Sequence, residues 1–280
     1  MKIAVTGASG FVGRHVLTAL LQHDVEVVAI TRSASRLASF GEALQVVEMD
    51  ISRTSEQNFT RLGRPDVLIH LAWDGLPNYK SLYHFEIELP SQYVFLKSLV
   101  EAGLPSLVVA GTCAEYGMQS GPLSAKLPTC PCNQYGYAKD ALRKQLEFLK
   151  SVKPFKLAWG RLFYMYGEGQ PATSLYSQLK AAVIRGDKVF NLSGGEQLRD
   201  YLHVSDVAQE LVKLALEQRD IGAINICSGK PISVRKLVEH WISVNGWKVE
   251  LNFGFYPYPD YEPMAFWGEQ DLRDLFCNKD

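Results

Sequence analysis

The chain has 280 residues, 47% of them apolar and 21% charged, with a formal net charge of −1. That length allows one large or two small cores, and the scattered, balanced charge argues against nucleic acid or an anionic membrane surface as partner. No apolar run approaches the roughly 18 residues of a membrane span, MKIAVTGASGFVG lacks the apolar stretch of a secretory signal, and five cysteines (Cys113, Cys130, Cys132, Cys227, Cys277) suit free thiols of a cytoplasmic protein.

Six apolar, β-branched runs predict buried parallel strands: KIAVT, VEVVAI, LQVVEM, DVLIHLA, SLVVAG and FKLAWG. Helical patterns lie between them, for example over Gly10–His23 and Tyr79–Ala102. This β-α-β rhythm predicts an α/β fold, a doubly wound parallel sheet with helices on both faces. After Gly160 the rhythm loosens. The turn-rich Tyr166–Pro171 precedes an expected helix over Ala172–Arg185, a short strand KVFNL, the loop SGGEQ and a helix starting near Ser205. The aromatic tail Phe253–Trp267 follows neither period and is expected to fold against the body. Cys130 and Cys132 flank one proline, match no metal-ligand spacing, and no metal is expected.

The first strand runs into Thr6-Gly7-Ala8-Ser9-Gly10-Phe11-Val12-Gly13. A strand-to-helix turn with this glycine spacing offers backbone N–H groups at a helix start to a phosphate. Gly7, Ser9, Gly10, Phe11, Val12 and Gly13 are therefore candidate dinucleotide-binding residues. The second strand ends in Ile30-Thr31-Arg32-Ser33-Ala34-Ser35-Arg36. An acid there would hold the ribose 2′-OH of NAD, whereas arginine suits the 2′-phosphate of NADP. Arg32, Ser33 and Arg36 thus favour NADP(H) over NAD(H). Asp50 reads equally as a partner of the adenine amino group or as an N-cap of the next helix. Ile51, Leu71 and Ala72, at the ends of the third and fourth strands, complete the expected cofactor set.

Tyr-x-x-x-Lys puts both side chains on one helix face, where the ammonium favours the phenolate. The chain holds three such pairs: Tyr93/Lys97, Tyr135/Lys139 and Tyr176/Lys180. Tyr135 begins a helix shortly after the strand that ends in Gly111-Thr112, the end at which ligands bind. The Thr112 hydroxyl can share a hydrogen bond with it and with a substrate oxygen. Tyr137 lacks a lysine four residues on. Tyr135 is the expected proton donor.

Together TGASGFVG (6–13), HLAW (70–73), GTCAEYG (111–117), YGYAK (135–139), RLFYMYGEGQ (161–170) and RDYLHVSDVA (199–208) make the chain resemble an extended short-chain dehydrogenase/reductase. The resemblance implies an NADP-binding Rossmann domain over residues 1–162 and a smaller substrate-binding lobe over 163–280, the helix near 204–218 returning to the first. It implies a nucleotide-sugar substrate and a homodimer built on two helices, Tyr79–Ala102 and the one beginning at Tyr135. It makes Tyr135 the acid/base, Lys139 its partner and Thr112 the Ser/Thr of the site. Arg199 becomes a diphosphate ligand, with Trp73 and Cys113 beside the sugar. Tyr164 stands near a position where the family often has Asn, and His70 is expected to be structural.

Relatives that eliminate water carry Asp-Glu where this chain has Cys113-Ala114, so a dehydratase is not expected. The wording resembles reductases of nucleotide-linked 4-keto-6-deoxyhexoses. An epimerase with retained NAD is the alternative, and a non-enzymatic NADP-binding sensor is disfavoured by the retained Tyr-Lys pair.

Overall fold

The structure, a computed structural model, describes residues 1–53, 55–259 and 262–270. The first half contains β1 (Lys2–Thr6), α1 (Phe11–Leu20), β2 (Glu26–Thr31), β3 (Gln45–Glu48), α2 (Asn58–Arg61), β4 (Val67–His70), α3 (Leu89–Glu101), β5 (Ser106–Thr112), β6 (Gly121–Leu123), α4 (Gln134–Val152) and β7 (Lys156–Leu162). The second contains β8 (Tyr164–Tyr166), α5 (Leu175–Arg185), β9 (Val189–Asn191), β10 (Leu198–His203), α6 (Val204–Glu217), β11 (Gly222–Ile226), β12 (Pro231–Ser233), α7 (Val234–Asn245), β13 (Glu250–Asn252) and β14 (Phe266–Gly268).

Seven parallel strands form the main sheet in the order β11-β7-β5-β4-β1-β2-β3. β4 and β5 are buried along their whole length, which is why their sequences run apolar instead of alternating. On one face α1 and α6 pack Leu17, Leu20, Leu211 and Leu214 over Ile3, Val5 and Ile69. On the other, α3 and α4 bring Phe95, Leu99, Leu142 and Leu146 onto Leu68, Leu107 and Trp159. The six expected strands all occur. β11 was not among them, yet it pairs with β7 from Gly222↔Ala158 to Ile226↔Leu162 and, with α6, returns to this sheet.

Helix boundaries depart from expectation for local reasons. α1 stops at Leu20, where tighter bonds from Gln22 N–H to the Ala19 carbonyl and His23 N–H to the Leu20 carbonyl take over. The stretch expected as one helix from Tyr79 begins instead with a wide π-turn, His84–Glu88, before α3. Pro90 has no N–H to continue an α-helical ladder into that turn. α5 starts at Leu175 because the Ser174 hydroxyl caps it, accepting from the Ser177 N–H.

The remaining elements form a lobe at the carboxyl end of the sheet. Its strands pair as β12-β10-β8, β13-β9 and β14-β6. Leu179, Leu192, Leu237, Val238 and Trp241 make its core, with the rings of Tyr166 and Tyr176 against Trp241. The expected irregular tail is mostly loop, except that Phe266–Gly268 is β14; its residues 260 and 261 lie outside the described residues. Among the described residues no helix is long and apolar enough to cross a membrane.

Leu211 is fully buried in the seam between α6, α1 and the sheet. Leu211→Ala is expected to cost about 2–5 kcal/mol, read from the shift of the urea midpoint at unchanged slope.

Candidate active site

A cleft opens at the carboxyl ends of β1 and β4, where the strand order reverses and where ligands bind in such sheets. The Thr6 hydroxyl oxygen accepts from the N–H groups of Leu71 (3.1 Å) and Ala72 (3.3 Å) and lies 2.9 Å from His70 Nδ1. That bond pattern leaves its proton for Nδ1. Burial, followed by repulsion from Lys139, holds the His70 pKa down at about 3, so the imidazole is neutral and structural.

Gly7 has φ +65°, and a Cβ there would lie 2.8 Å from the Ala72 nitrogen. A Cβ on Gly13 would run into the Gly7 carbonyl. The loop therefore lies flat between strand and helix only with glycine at both places. Gly10 caps α1 without a side-chain bond, which leaves first-turn N–H groups for an anion.

The cleft encloses ≈ 540 Å³ and is lined by Gly7, Ser9, Gly10, Arg32, Ser33, Arg36, Asp50, Ile51, Leu71, Ala72 and Trp73, among others. This cradle fits a nicotinamide dinucleotide. Phe11, Val12 and Gly13 are outside its lining: Val12 packs on the core, Phe11 stands edge-on to His15, and Gly13 serves the close approach just described. Asp50 caps no helix. Its carboxylate accepts from the Ser52 N–H and hydroxyl, which holds it below the usual carboxylate range, while α2 is preceded by Gln57. Arg32 is committed to Asp74 through two bonds of 2.6 and 3.1 Å.

The cleft meets a second cluster at Trp73. α4 is capped by Asn133, which accepts from the Gly136 N–H at 2.8 Å. A Cβ on Gly136 would sit 2.6 Å from the Ala114 carbonyl oxygen, so the helix start presses directly on the segment after β5. That contact delivers Tyr135, 9% exposed, to Thr112, whose side chain hydrogen-bonds it. The Tyr135 ring packs against Trp73, Tyr79 and His84 at centroid distances of 5.9, 5.5 and 5.4 Å.

Lys139 donates to the Ala110 carbonyl (2.9 Å), and its ammonium sits 4.0 Å from the Trp73 ring centroid. Burial draws its pKa down to about 7, against the pull of Glu115 and Glu88. Lys139 does not bring Tyr135 below its ordinary pKa, contrary to expectation. Burial, then repulsion from Tyr79, raises the phenol, and the Thr112 hydrogen bond only moderates the rise. Tyr137 is 55% exposed and stands edge-on to Phe85. Lys97 pairs with Glu101 and Lys180 with Glu168, away from both clusters.

Sequence reasoning passed over Glu115, which is fully buried. Its carboxylate accepts from the Thr112 N–H (2.9 Å), the Trp159 indole (2.9 Å) and Arg161 Nε (2.7 Å). With Thr112 it closes a capping box, the three-residue spacing that could have signalled it. Arg161 continues to the Tyr116 hydroxyl (3.1 Å), and Tyr116 donates to Asn225 at 2.6 Å. Tyr116 is thus part of the core.

Arg199 is engaged inside the fold. It is 2% exposed, donates to the Leu198 carbonyl (2.9 Å) and to Glu262 (3.1 Å), and lies over the Phe266 ring. The guanidinium expected to meet a diphosphate is spent on Glu262, which also accepts from the Tyr164 hydroxyl at 2.6 Å. Nearby, burial and the Glu262 charge push the Cys113 thiol up to about 12, so it is neither nucleophile nor acid at neutral pH. Among the described residues Cys113, Cys130, Cys132 and Cys227 form no disulfide; Cys277 lies outside them.

Residues 3–227 match the family described as the NAD dependent epimerase/dehydratase family. The chain is 32% identical over 270 residues to dTDP-6-deoxy-L-talose 4-dehydrogenase (NAD(+)) of Aggregatibacter actinomycetemcomitans, covering 96% of this chain and 99% of that one. It is 28% identical over 277 residues to UDP-glucose 4-epimerase of Azospirillum brasilense, covering 90% and 80%. Among solved structures, UDP-N-acetylglucosamine 4-epimerase from Methanobrevibacter ruminantium M1 in complex with UDP-N-acetylmuramic acid superposes with TM-score 0.86 at 21% identity, over 98% of this chain and 90% of that one, a likeness of fold.

Two outcomes test this site. Glu115→Gln is expected to destabilise by about 3–5 kcal/mol in chemical denaturation, because it leaves Arg161 buried without its counter-charge. Lys139 has a folded pKa below its unfolded one, so the unfolded chain binds the extra proton and stability from this group rises with pH above about 7. Lys139→Met should flatten the rise in melting temperature between roughly pH 7 and 8.5 relative to wild type; an unchanged slope would mean that Lys139 titrates normally.

Proposed function

The chain belongs to the NAD dependent epimerase/dehydratase family, and on that premise we propose that it reduces the C4 ketone of a nucleoside-diphosphate-4-keto-6-deoxyhexose with NADPH. It is an oxidoreductase that acts on a CH–OH group with a nicotinamide cofactor. The observation that carries the finer reading is the buried Tyr135–Thr112 pair beside Lys139, with Cys113 and Ala114 where water elimination would need an acid and a base. One proton donor suits addition of a hydride and a proton to one carbonyl.

In this reading Gly7, Ser9 and Gly10 hold the pyrophosphate, Asp50 and Ile51 the adenine, Leu71 and Ala72 the middle of the dinucleotide, and Arg32, Ser33 and Arg36 the 2′-phosphate. The bound cofactor supplies the hydride to C4. Tyr135 gives its phenolic proton to the C4 oxygen as the carbonyl bond becomes a single bond. The Thr112 hydroxyl donates to the same oxygen, and Lys139 binds the nicotinamide ribose and meets the charge left on Tyr135. The lobe that follows residue 163, apart from α6 and β11, receives the nucleotide sugar, with Trp73 and Cys113 at the sugar. Arg199 reaches the diphosphate once Glu262 gives way.

The relationship to a 4-dehydrogenase of a dTDP-6-deoxy sugar supports this reading, since reduction is the same C4 hydride transfer run backwards. The relationship to UDP-glucose 4-epimerase supports a second one, in which retained NAD oxidises and re-reduces one carbon. We further propose a cytoplasmic homodimer formed through α3 and α4, on which Val94, Tyr137 and Phe148 are exposed.

Wild type should consume NADPH on addition of dTDP-4-keto-6-deoxyglucose, and Tyr135→Phe should lower turnover by about 10²–10⁴-fold while still binding the cofactor. No consumption together with copurified NAD would replace the reductase with the epimerase.

A further inference from the structure

We infer that Asp74 sets the choice between the two nicotinamide dinucleotides by competing with the ribose 2′-phosphate for Arg32. The inference rests on the reading of the cleft as the cofactor site. Arg32 follows β2 and Asp74 follows β4, so their ion pair crosses the cleft that both residues line. Two N–H groups of one guanidinium meet two oxygens of one carboxylate, at 2.6 and 3.1 Å. A phosphate would use the same fork.

Asp74 is delivered to this place from behind. Its backbone N–H donates to Glu88 at 2.9 Å, and the buried Glu88 also accepts from Gln92 (2.6 Å) and the Tyr83 hydroxyl (3.2 Å). The carboxylate is therefore held in front of Arg32 by the fold. The pair itself is 65% and 48% exposed, weak enough for an anion to open. A 2′-phosphate needs the Arg32 fork and has to displace Asp74 from it. A 2′-hydroxyl displaces nothing. Asp74 thus penalises NADPH and leaves NADH untouched, which lets a chain with arginine at the end of β2 still accept NAD(H). Arg36, on the same wall, forms no ion pair among the described residues and is not restrained in this way.

The test is a thermodynamic cycle. NADPH and NADH are titrated into wild type, Asp74→Asn, Arg32→Ala and the double variant, with thermal melts to confirm that each is folded. Asp74→Asn should tighten NADPH by about three- to tenfold and change NADH by less than about twofold. In the Arg32→Ala background the same substitution should do nothing. An unchanged NADPH/NADH ratio in Asp74→Asn overturns the inference. So does a gain that persists without Arg32, because Asp74 would then repel the phosphate directly. If Arg32→Ala alone leaves the ratio unchanged, it is the assignment of Arg32 to the 2′-phosphate that fails, and the competition with it.

Discussion

A carboxylate with no access to water must be met by donors or it destabilises the fold that buries it. Glu115 is such a group, and the geometry of the site follows from how it is met. Its donors come from the end of β5 and from two residues of β7. Their convergence fixes the two strand ends side by side and directs the Thr112 side chain toward α4. Gly136 then lets α4 touch the Ala114 carbonyl, and the distance between Tyr135 and Thr112 is set. The pair proposed to react is thus positioned by a buried charge outside the proposed chemistry.

Much of this was legible because it is local. Strands buried on both faces announce themselves as apolar runs. The glycines at 7 and 13 mark a turn with no room for a side chain, and Asn133 and Gly136 flank Tyr135 as a helix start should. What escaped notice depends on approach across the fold. β11 is five residues with a glycine at one end and a buried asparagine within, no stronger than many loops. Glu262 lies 63 residues from Arg199, and Asp74 lies 42 from Arg32. The acidity of Tyr135 has a related origin: spacing shows that a lysine is near, whereas the low-dielectric surroundings that outweigh it come from Trp73, Tyr79 and His84, which spacing does not reveal.

Lys139 shows the same balance from the other side. Burial disfavours its charge, while the Ala110 carbonyl, the face of Trp73 and two carboxylates favour it. The outcome is a lysine whose charge is held less firmly than that of an exposed one and is sensitive to any further charge brought beside it. Arg199 has instead a direct partner in Glu262. The two cations differ in readiness: one is tuned by its surroundings, the other is already engaged.

The return of the chain to β11 has a consequence for synthesis. β7 ends at residue 162 and its outer partner begins at 222, and the strands and helix of the lobe between them are made first. Until residue 226 has left the ribosome, β7 is an open parallel edge, and α1 lacks α6 over its apolar side. The main sheet cannot close before the elements between β7 and β11 exist. The sheet and those elements are therefore born as one folding unit, and a break placed after residue 162 would release neither as an independent piece.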